Sequence, residues 1–350
     1  MTAILIPAYN PTDELIEYVS LLNSYGFSII VVVNDGCTEE YGHIFSVLEG
    51  AKILNHDKNR GKGAALKTGL RYITKNHPDI SGIITADCDG QHSAEDVVKI
   101  SNELEKNDGA LLLGSRCFKD KKVPPKSRFG NNLTRGVFWL FFGKKLKDTQ
   151  TGLRGLPTSR ANEFITLSGN RYEYEINMLI KAVTAKIPIK EIGIQTIYIE
   201  NNKGSHFNPF IDSIKIYFLI LKMFLMFSVS SIGSFLVDML FFALFTKLLK
   251  CDIWSATVFA RAVSSVFNFA VNKNTVFTQK GAVKKTVLKY YALAIPQMLL
   301  SAFFVDFLCR RFLGAEMMIK MVVDTALFFV SFQIQRLWVF DKTSRGGDGS

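Results

Sequence analysis

The chain has 350 residues, a formal net charge of +11 and five cysteines, Cys37, Cys88, Cys117, Cys251 and Cys309. An odd number of cysteines without ligand-type spacing argues against a disulfide framework and a cysteine metal centre, and reads as free thiols in a reducing compartment. The charge calls for an anionic partner. Its distribution points away from nucleic acid, because Lys222, Lys273, Lys280, Lys284, Lys285, Lys289, Arg336 and Lys342 flank apolar runs, as juxtamembrane basic residues do.

The length favours two domains, and composition shifts sharply near their junction. Up to about residue 207 charged, polar and apolar residues are mixed. From Pro209 onward the chain is mostly Phe, Leu, Ile, Val, Met and Ala. Met1 leads directly into a buried-strand pattern, so no secretory signal is expected.

In the first part, Ala3-Ile4-Leu5-Ile6 is an apolar run stopped by Pro7, the pattern of a buried parallel strand. A helix is expected from Asp13 to about Ser24. Further strands are predicted at residues 28–33, 52–54, 82–86 and 110–114, with a helix from Gly63 to Lys75. This alternation predicts a mainly parallel α/β sheet with helices on both faces. Ligands of such sheets sit beyond the carboxyl ends of the strands.

Those ends are Pro7-Ala8-Tyr9-Asn10, then Asn34-Asp35-Gly36, then Asn59-Arg60-Gly61-Lys62-Gly63, and finally Asp87-Cys88-Asp89-Gly90-Gln91-His92. Asp-Gly after a strand is by itself an ordinary turn. Asp87 and Asp89, two positions apart beside Gln91, are more telling. They offer hard oxygen ligands for Mg²⁺ or Mn²⁺, which is bound by one or two carboxylates together with substrate phosphates. A nucleoside diphosphate leaving group calls for such an ion.

In this order the motifs resemble family 2 glycosyltransferases of the GT-A fold, in particular the polyprenyl-phosphate sugar synthases related to dolichyl-phosphate mannose synthase. The resemblance runs from Met1 to about Tyr217. It implies that Pro7, Ala8, Tyr9 and Asn10 line a nucleotide, that Asp35 bonds the base and that Lys62 lies nearby. Asp87 and Asp89 match the family's Asp-x-Asp, with Asp89 and Gln91 facing the metal. Gly114-Ser115-Arg116 matches an arginine that faces phosphate, and Ser127-Arg128 a second one for the acceptor phosphate. The stretch from Asp148 to Arg154 matches Asp-x-x-x-Gly-x-Arg beside the reacting centre, and Arg171–Glu175 matches an acidic helix start. Pro11 stands where a Glu is frequent, Asn34 where the first Asp of Asp-Asp-Gly is usual, and Gly204-Ser205-His206 where the family often has Gly-x-Ser-Lys. His206 is therefore a candidate for the acceptor phosphate, or a structural histidine.

An ionised lipid phosphate needs little general-base help. It needs cations that hold two anions together, and Arg116, Arg128 and Arg154 with the metal are the candidates. Asp148 is assigned to positioning; fixing a loop through backbone hydrogen bonds is an equal alternative.

Four stretches of the second part, about 223–246, 253–271, 290–308 and 317–334, approach the roughly 20 residues that a bilayer core requires. They form a repeat. Phe235-Leu236-Val237-Asp238 recurs as Phe303-Phe304-Val305-Asp306, and residues 268–277 recur as 331–340. Residues 224–340 resemble the GtrA-like four-helix membrane proteins, a family associated with polyprenyl-linked sugars. Asp238, Arg261, Asp306 and Asp324 fall inside the spans, where they either pair to fix helix packing or contact the lipid headgroup. Residues 138–142 with Lys144, Lys145 and Lys147 suit an interfacial helix or a core helix with a basic end, and Pro209–Leu221 suits a second interfacial helix.

The expected organisation is a GT-A domain at 1–207, an interfacial linker helix at 208–222, an all-α four-helix transmembrane domain at 223–340 and a flexible tail at 341–350. Lysines in the middle loop and at both ends of the membrane domain place the termini in the cytoplasm, with the protein multi-pass in the inner (plasma) membrane. The function expected is transfer of a sugar to polyprenyl (undecaprenyl) phosphate for cell-envelope polysaccharide. UDP-glucose is the first-choice donor by analogy, with UDP-GlcNAc, UDP-galactose and GDP-mannose compatible; a homo-oligomer is compatible too. Two rivals are a lipid-linked sugar flippase with a secondary catalytic domain and a processive polysaccharide synthase. The second requires Gln-x-x-Arg-Trp, and Gln333–Trp338 carries Leu337 where that Trp belongs.

Overall fold

Seven consecutive buried residues, Thr2–Ala8, form β1, the centre from which the sheet grows. A strand with both faces covered needs no polar alternation. In the computed structural model, which describes residues 1–107, 109–117, 125–195, 211–251, 253–277, 283–311 and 316–340, the chain divides into two compact units, Met1–Ile220 and Leu221–Ser350.

The first unit is built on β1, β2 (Ile30–Asn34), β3 (Ala51–Asn55), β4 (Gly82–Thr85), β5 (Leu111–Arg116), β6 (Arg154–Pro157) and β7 (Ile189–Ile194), in the order β3-β2-β1-β4-β6-β5-β7. All five strands expected from the sequence are present. β1 pairs in parallel with β2 and β4, β2 with β3, and β5 with β7. β6 was not foreseen. It runs antiparallel between β4 and β5, and its four residues Arg-Gly-Leu-Pro carry no readable period. β7 was missed as well.

Helices α1 (Glu14–Ser24), α2 (Gly42–Ser46), α3 (Lys62–Asn76), α4 (Ala94–Lys106), α5 (Pro125–Phe142), α6 (Ala161–Ile165) and α7 (Glu173–Thr184) complete this unit. Ser93 caps α4, its Oγ accepting from the Asp96 amide at 3.2 Å. At the start of α3, Gly61 has φ +97°, and a Cβ there would stand 2.4 Å from the Asn170 carbonyl oxygen. Glycine is what lets the β3–α3 turn lie against the loop before α7.

The second unit contains α8 (Ile211–Ala243, which begins in the first), α9 (Ile253–Val271), α10 (Val283–Cys309) and α11 (Glu316–Ile334). These four helices overlap the four apolar stretches read from the sequence. Among the described residues, Ile216–Leu248 and Met321–Val339 are long and apolar enough to cross a membrane by length and composition. The linker helix expected at 208–222 is not a separate element, since α8 runs unbroken from Ile211. Phe235, Leu240, Leu299 and Phe303 are all more than half exposed. Such large apolar side chains facing outward belong in lipid, not water.

The sequence repeat is a structural one. Residues 272–276 and 335–339 both form a π-helical turn. The equivalent residues Phe277 and Phe340 stack at 5.0 Å, and the equivalent Asn272 and Gln335 share a hydrogen bond of 3.1 Å. Asn268 extends this polar seam: its Nδ2 donates to Ser234, and its Oδ1 accepts from Asn272 and from Tyr290 Oη. Asp238, 8 % exposed, accepts from Ser264 Oγ. The side chains of Arg261 and Asp306 and the tail at 341–350 lie outside the described residues.

Residues 138–142 divide between the two readings of α5. Phe138, Phe141 and Phe142 are buried, whereas Trp139 and Leu140 are about half exposed, with Lys145 Nζ 4.9 Å from the Trp139 ring centre.

Candidate active site

The carboxyl ends of β1, β2 and β4 open into a cavity of about 730 Å³. Pro7, Ala8, Tyr9, Asn10, Asp35, Lys62, Asp87, Asp89 and Gln91 all line it, together with Arg171 and Tyr172. The cavity thus gathers every residue read from the sequence as nucleotide- or metal-binding. Asn10 adopts a left-handed φ of 49°, its amide donating to Cys37 Sγ, and its buried Oδ1 has no hydrogen-bond partner among the described residues.

Asp35 does more than line the wall. Its carboxylate is 2 % exposed; Oδ1 accepts from His56 Nδ1 at 2.7 Å and the Arg60 amide at 2.9 Å, and Oδ2 from the Gly61 amide at 2.7 Å. His56 continues to Thr68 Oγ1 at 2.9 Å. Asp35 therefore organises the β3–α3 turn, and of the about four acceptor positions on a carboxylate only one on Oδ2 is left for a base. His56 was not singled out in the sequence, because nothing local links it to Asp35.

Lys62, the first residue of α3, sits between two carboxylates: Nζ is 2.6 Å from Asp87 Oδ1 and 3.0 Å from Glu175 Oε1. Burial disfavours the charged ammonium, but Asp87 and Glu175 outweigh it and hold its pKa above the usual lysine range. Conversely, Lys62 overcomes burial to hold Asp87 below the usual carboxylate range. The Asp87 carboxylate lies against Gly152, where an added Cβ would come 2.3 Å from Oδ2. His92 is 4 % exposed and its Nδ1 accepts from the Asp87 amide at 3.1 Å. Burial pushes its pKa down to about 4, so the ring is neutral.

Asp89 is different. Burial, and then the charge of Asp87, push its carboxyl up to about 6. Two carboxylates that disfavour each other's charge make a seat for a cation. Among the described residues no group of three or more His, Cys, Asp or Glu could enclose a metal ion. Asp89 and Asp87 with the Gln91 amide oxygen could hold an ion that takes one or two carboxylates and leaves its remaining positions to phosphate and water.

The arginines expected to act as phosphate cations are not equivalent. Arg116, the last residue of β5, donates from Nε to Asp148 Oδ2 at 2.7 Å and from Nη2 to Oδ1 at 3.3 Å. The Asp148 carboxylate is wholly buried and also accepts from the Gln150 amide. Arg154 differs. Only 1 % exposed, it donates to the carbonyls of Thr151 and Glu175 at 3.0 and 2.6 Å, bracing the loop before β6 against α7. The guanidinium is buried on these carbonyls, whereas the sequence pattern groups it with the phosphate cations. Arg128 lies half-buried in the first turn of α5. His206 lies outside the described residues.

A mainly parallel sheet with an acidic pair and a nucleotide-sized cavity at its carboxyl edge defines a GT-A glycosyltransferase. The chain belongs to glycosyl transferase family 2, matched over residues 3–159, with a GtrA/DPMS transmembrane domain matched over residues 226–340. An uncharacterised protein of Methanocaldococcus jannaschii is 33 % identical over 201 residues, 56 % of this chain and 82 % of that protein. The UDP-N-acetylglucosamine–dolichyl-phosphate N-acetylglucosaminyltransferase of Methanococcus voltae is 29 % identical over 242 residues, 63 % of this chain and 95 % of its own. Human dolichyl-phosphate beta-glucosyltransferase is 26 % identical, over 57 % of this chain and 68 % of its own. Among solved structures, glucosyl-3-phosphoglycerate synthase of Mycobacterium tuberculosis, in complex with Mn²⁺, UDP and glucosyl-3-phosphoglycerate, superposes with a TM-score of 0.50 at 14 % identity. It covers 63 % of this chain and 79 % of that one, a likeness of fold.

Proposed function

We propose that this membrane glycosyltransferase moves one sugar from a nucleotide-sugar to the phosphate of a polyprenyl lipid at the cytoplasmic face of the inner membrane, with α8 to α11 as a multi-pass anchor. The observation that carries this reading is the pairing, in one chain, of a family 2 catalytic domain with a GtrA/DPMS membrane domain. Relatives that act on dolichyl phosphate support the acceptor class. Undecaprenyl phosphate is the acceptor proposed here, UDP-glucose the donor, and a cell-envelope glycan the destination.

Asp89 and Gln91, with Asp87, would hold Mg²⁺ or Mn²⁺, which when bound supplies positive charge to the diphosphate leaving group. The solved neighbour with Mn²⁺ and UDP supports that choice of ion. The residues of the chain do the rest. Pro7 to Asn10 and Tyr172 enclose the nucleotide, and Lys62 adds a cation beside the acidic pair. Asp148 fixes the Arg116 guanidinium by two hydrogen bonds, presenting a planar cation to phosphate. With its carboxylate so occupied, Asp148 is a positioning residue and not a base. An acceptor phosphate is already ionised, so the attacking oxygen has no proton to lose. Electrostatics and alignment carry the reaction.

Thermal unfolding of the purified full-length protein with Mn²⁺ and either UDP or GDP tests the donor site. A midpoint raised by UDP is the expected result. Stabilisation by GDP alone would transfer the donor to the guanosine class, and no response to either would remove the donor-site assignment.

A further inference from the structure

The two carboxylates around Lys62 Nζ, Asp87 Oδ1 at 2.6 Å and Glu175 Oε1 at 3.0 Å, are brought together from the turn after β4 and from α7. All three side chains are mostly buried, at 17 % exposure for Lys62, 27 % for Asp87 and 8 % for Glu175. The ammonium is therefore fixed and not a surface charge sampling solvent. Asp87 has little freedom to turn away, since its carboxylate rests on the Cα of Gly152. A divalent cation that engages Asp87 together with Asp89 must compete with Lys62 for the same carboxylate.

We propose that Lys62 is a placeholder cation: without nucleotide its ammonium holds the Asp87 seat, so that a divalent ion and a nucleoside diphosphate load together instead of the ion binding first. The inference rests on the donor-site reading given above. Its physical basis is charge. An ion of charge +2 beside a buried ammonium is repelled at short range. A diphosphate in the adjoining cavity brings enough negative charge to satisfy both. Glu175 makes the exchange feasible, because Lys62 already bonds to it and can leave Asp87 without becoming an unpaired buried charge. Lys62 then acts as a positioning residue that couples the two ligands, and the coupling must be reciprocal: the ion strengthens nucleotide binding by the factor by which nucleotide strengthens ion binding.

The experiment is Mn²⁺ binding by the purified full-length protein, read as loss of the free-ion spin-resonance signal, with and without UDP. Wild type should bind Mn²⁺ weakly alone and about tenfold or more tightly with UDP, within the usual range of coupling. Lys62→Met removes the charge and keeps the stem. It should tighten binding of Mn²⁺ alone by about tenfold and remove most of the UDP enhancement. Glu175→Gln keeps Lys62 on Asp87 but takes away its alternative seat, so Mn²⁺ alone should stay weak while the UDP enhancement shrinks several-fold; this arm decides the matter if Lys62→Met does not fold. Unchanged Mn²⁺ affinity in folded Lys62→Met, or full coupling in Glu175→Gln, overturns the placeholder role and leaves the donor site standing. A wild-type protein whose Mn²⁺ binding ignores UDP overturns the donor-site reading, and this inference with it.

Discussion

Arg116 and Asp148 are joined by two hydrogen bonds, of 2.7 and 3.3 Å, with the carboxylate at zero exposure. They are 32 positions apart, and the pair ties the end of β5 to the loop before β6. The partly exposed arginine is thus held by a fully buried carboxylate.

Asp148→Asn should therefore damage both stability and rate. Breaking a buried pair from one side leaves an uncompensated cation, a loss on the order of 3 kcal/mol. Thermal unfolding should show the lowered midpoint, and steady-state kinetics a lowered kcat. Raising the pH should not restore activity. Recovery at high pH would return Asp148 to the role of a base.

Gly152→Ala tests the seat of Asp87. The added methyl would occupy the position of the carboxylate, 2.3 Å from Oδ2, and must push Asp87 off Lys62 or distort the loop. The expected outcome is a folded protein in which UDP with Mn²⁺ no longer raises the unfolding midpoint. Retained nucleotide binding would show that Asp87 tolerates displacement.

Arg154→Lys separates support from catalysis. The guanidinium reaches two carbonyls from different segments, a span that an ammonium does not reproduce. A stability loss of roughly 2 kcal/mol is expected from hydrogen bonds to a charged group. Donor KM should be unchanged in the folded fraction. A tenfold rise in donor KM at unchanged stability would place Arg154 against substrate.

His92 gives the first unit an acid limb. Its pKa lies at about 4 in the folded protein because burial disfavours the charged ring, against about 6.5 when unfolded. Between those values the unfolded chain binds the extra proton. The stabilisation is complete above about pH 6.5 and is lost as pH falls toward 4, on the order of 3 kcal/mol in all. In His92→Gln the unfolding midpoint should vary less over that window. An identical pH profile would show that other groups set the acid limb.

How far the sequence could be read depended on the range of each interaction. Buried strands such as Thr2–Ala8 and the four long helices carry their signal in consecutive residues, and Asp87 with Asp89 carries it in three. β6 is short, lacks a period and pairs antiparallel with strands on either side, so only tertiary structure defines it. Lys62, Asp87 and Glu175 are spread over more than a hundred positions and are united by the fold. The same holds for Asp35, whose hydrogen bonds to Arg60, Gly61 and His56 make it the organiser of a turn as well as part of the cavity wall. Arg154 is the opposite case. Its motif was plain, but charge pattern alone does not tell a cation facing phosphate from one buried against carbonyls. The membrane repeat was legible in letters, whereas the contact between its equivalent residues, Asn272 with Gln335 and Phe277 with Phe340, was not.

Transfer itself is the decisive measurement. Purified full-length protein in liposomes containing undecaprenyl phosphate, supplied with Mn²⁺ and radiolabelled UDP-glucose, UDP-GlcNAc, UDP-galactose or GDP-mannose in turn, should convert one donor into a lipid-extractable product. That product should carry a single sugar, and its formation should stop when the lipid phosphate is omitted. A water-soluble polymer, or hydrolysis of every donor without a labelled lipid, would contradict the account.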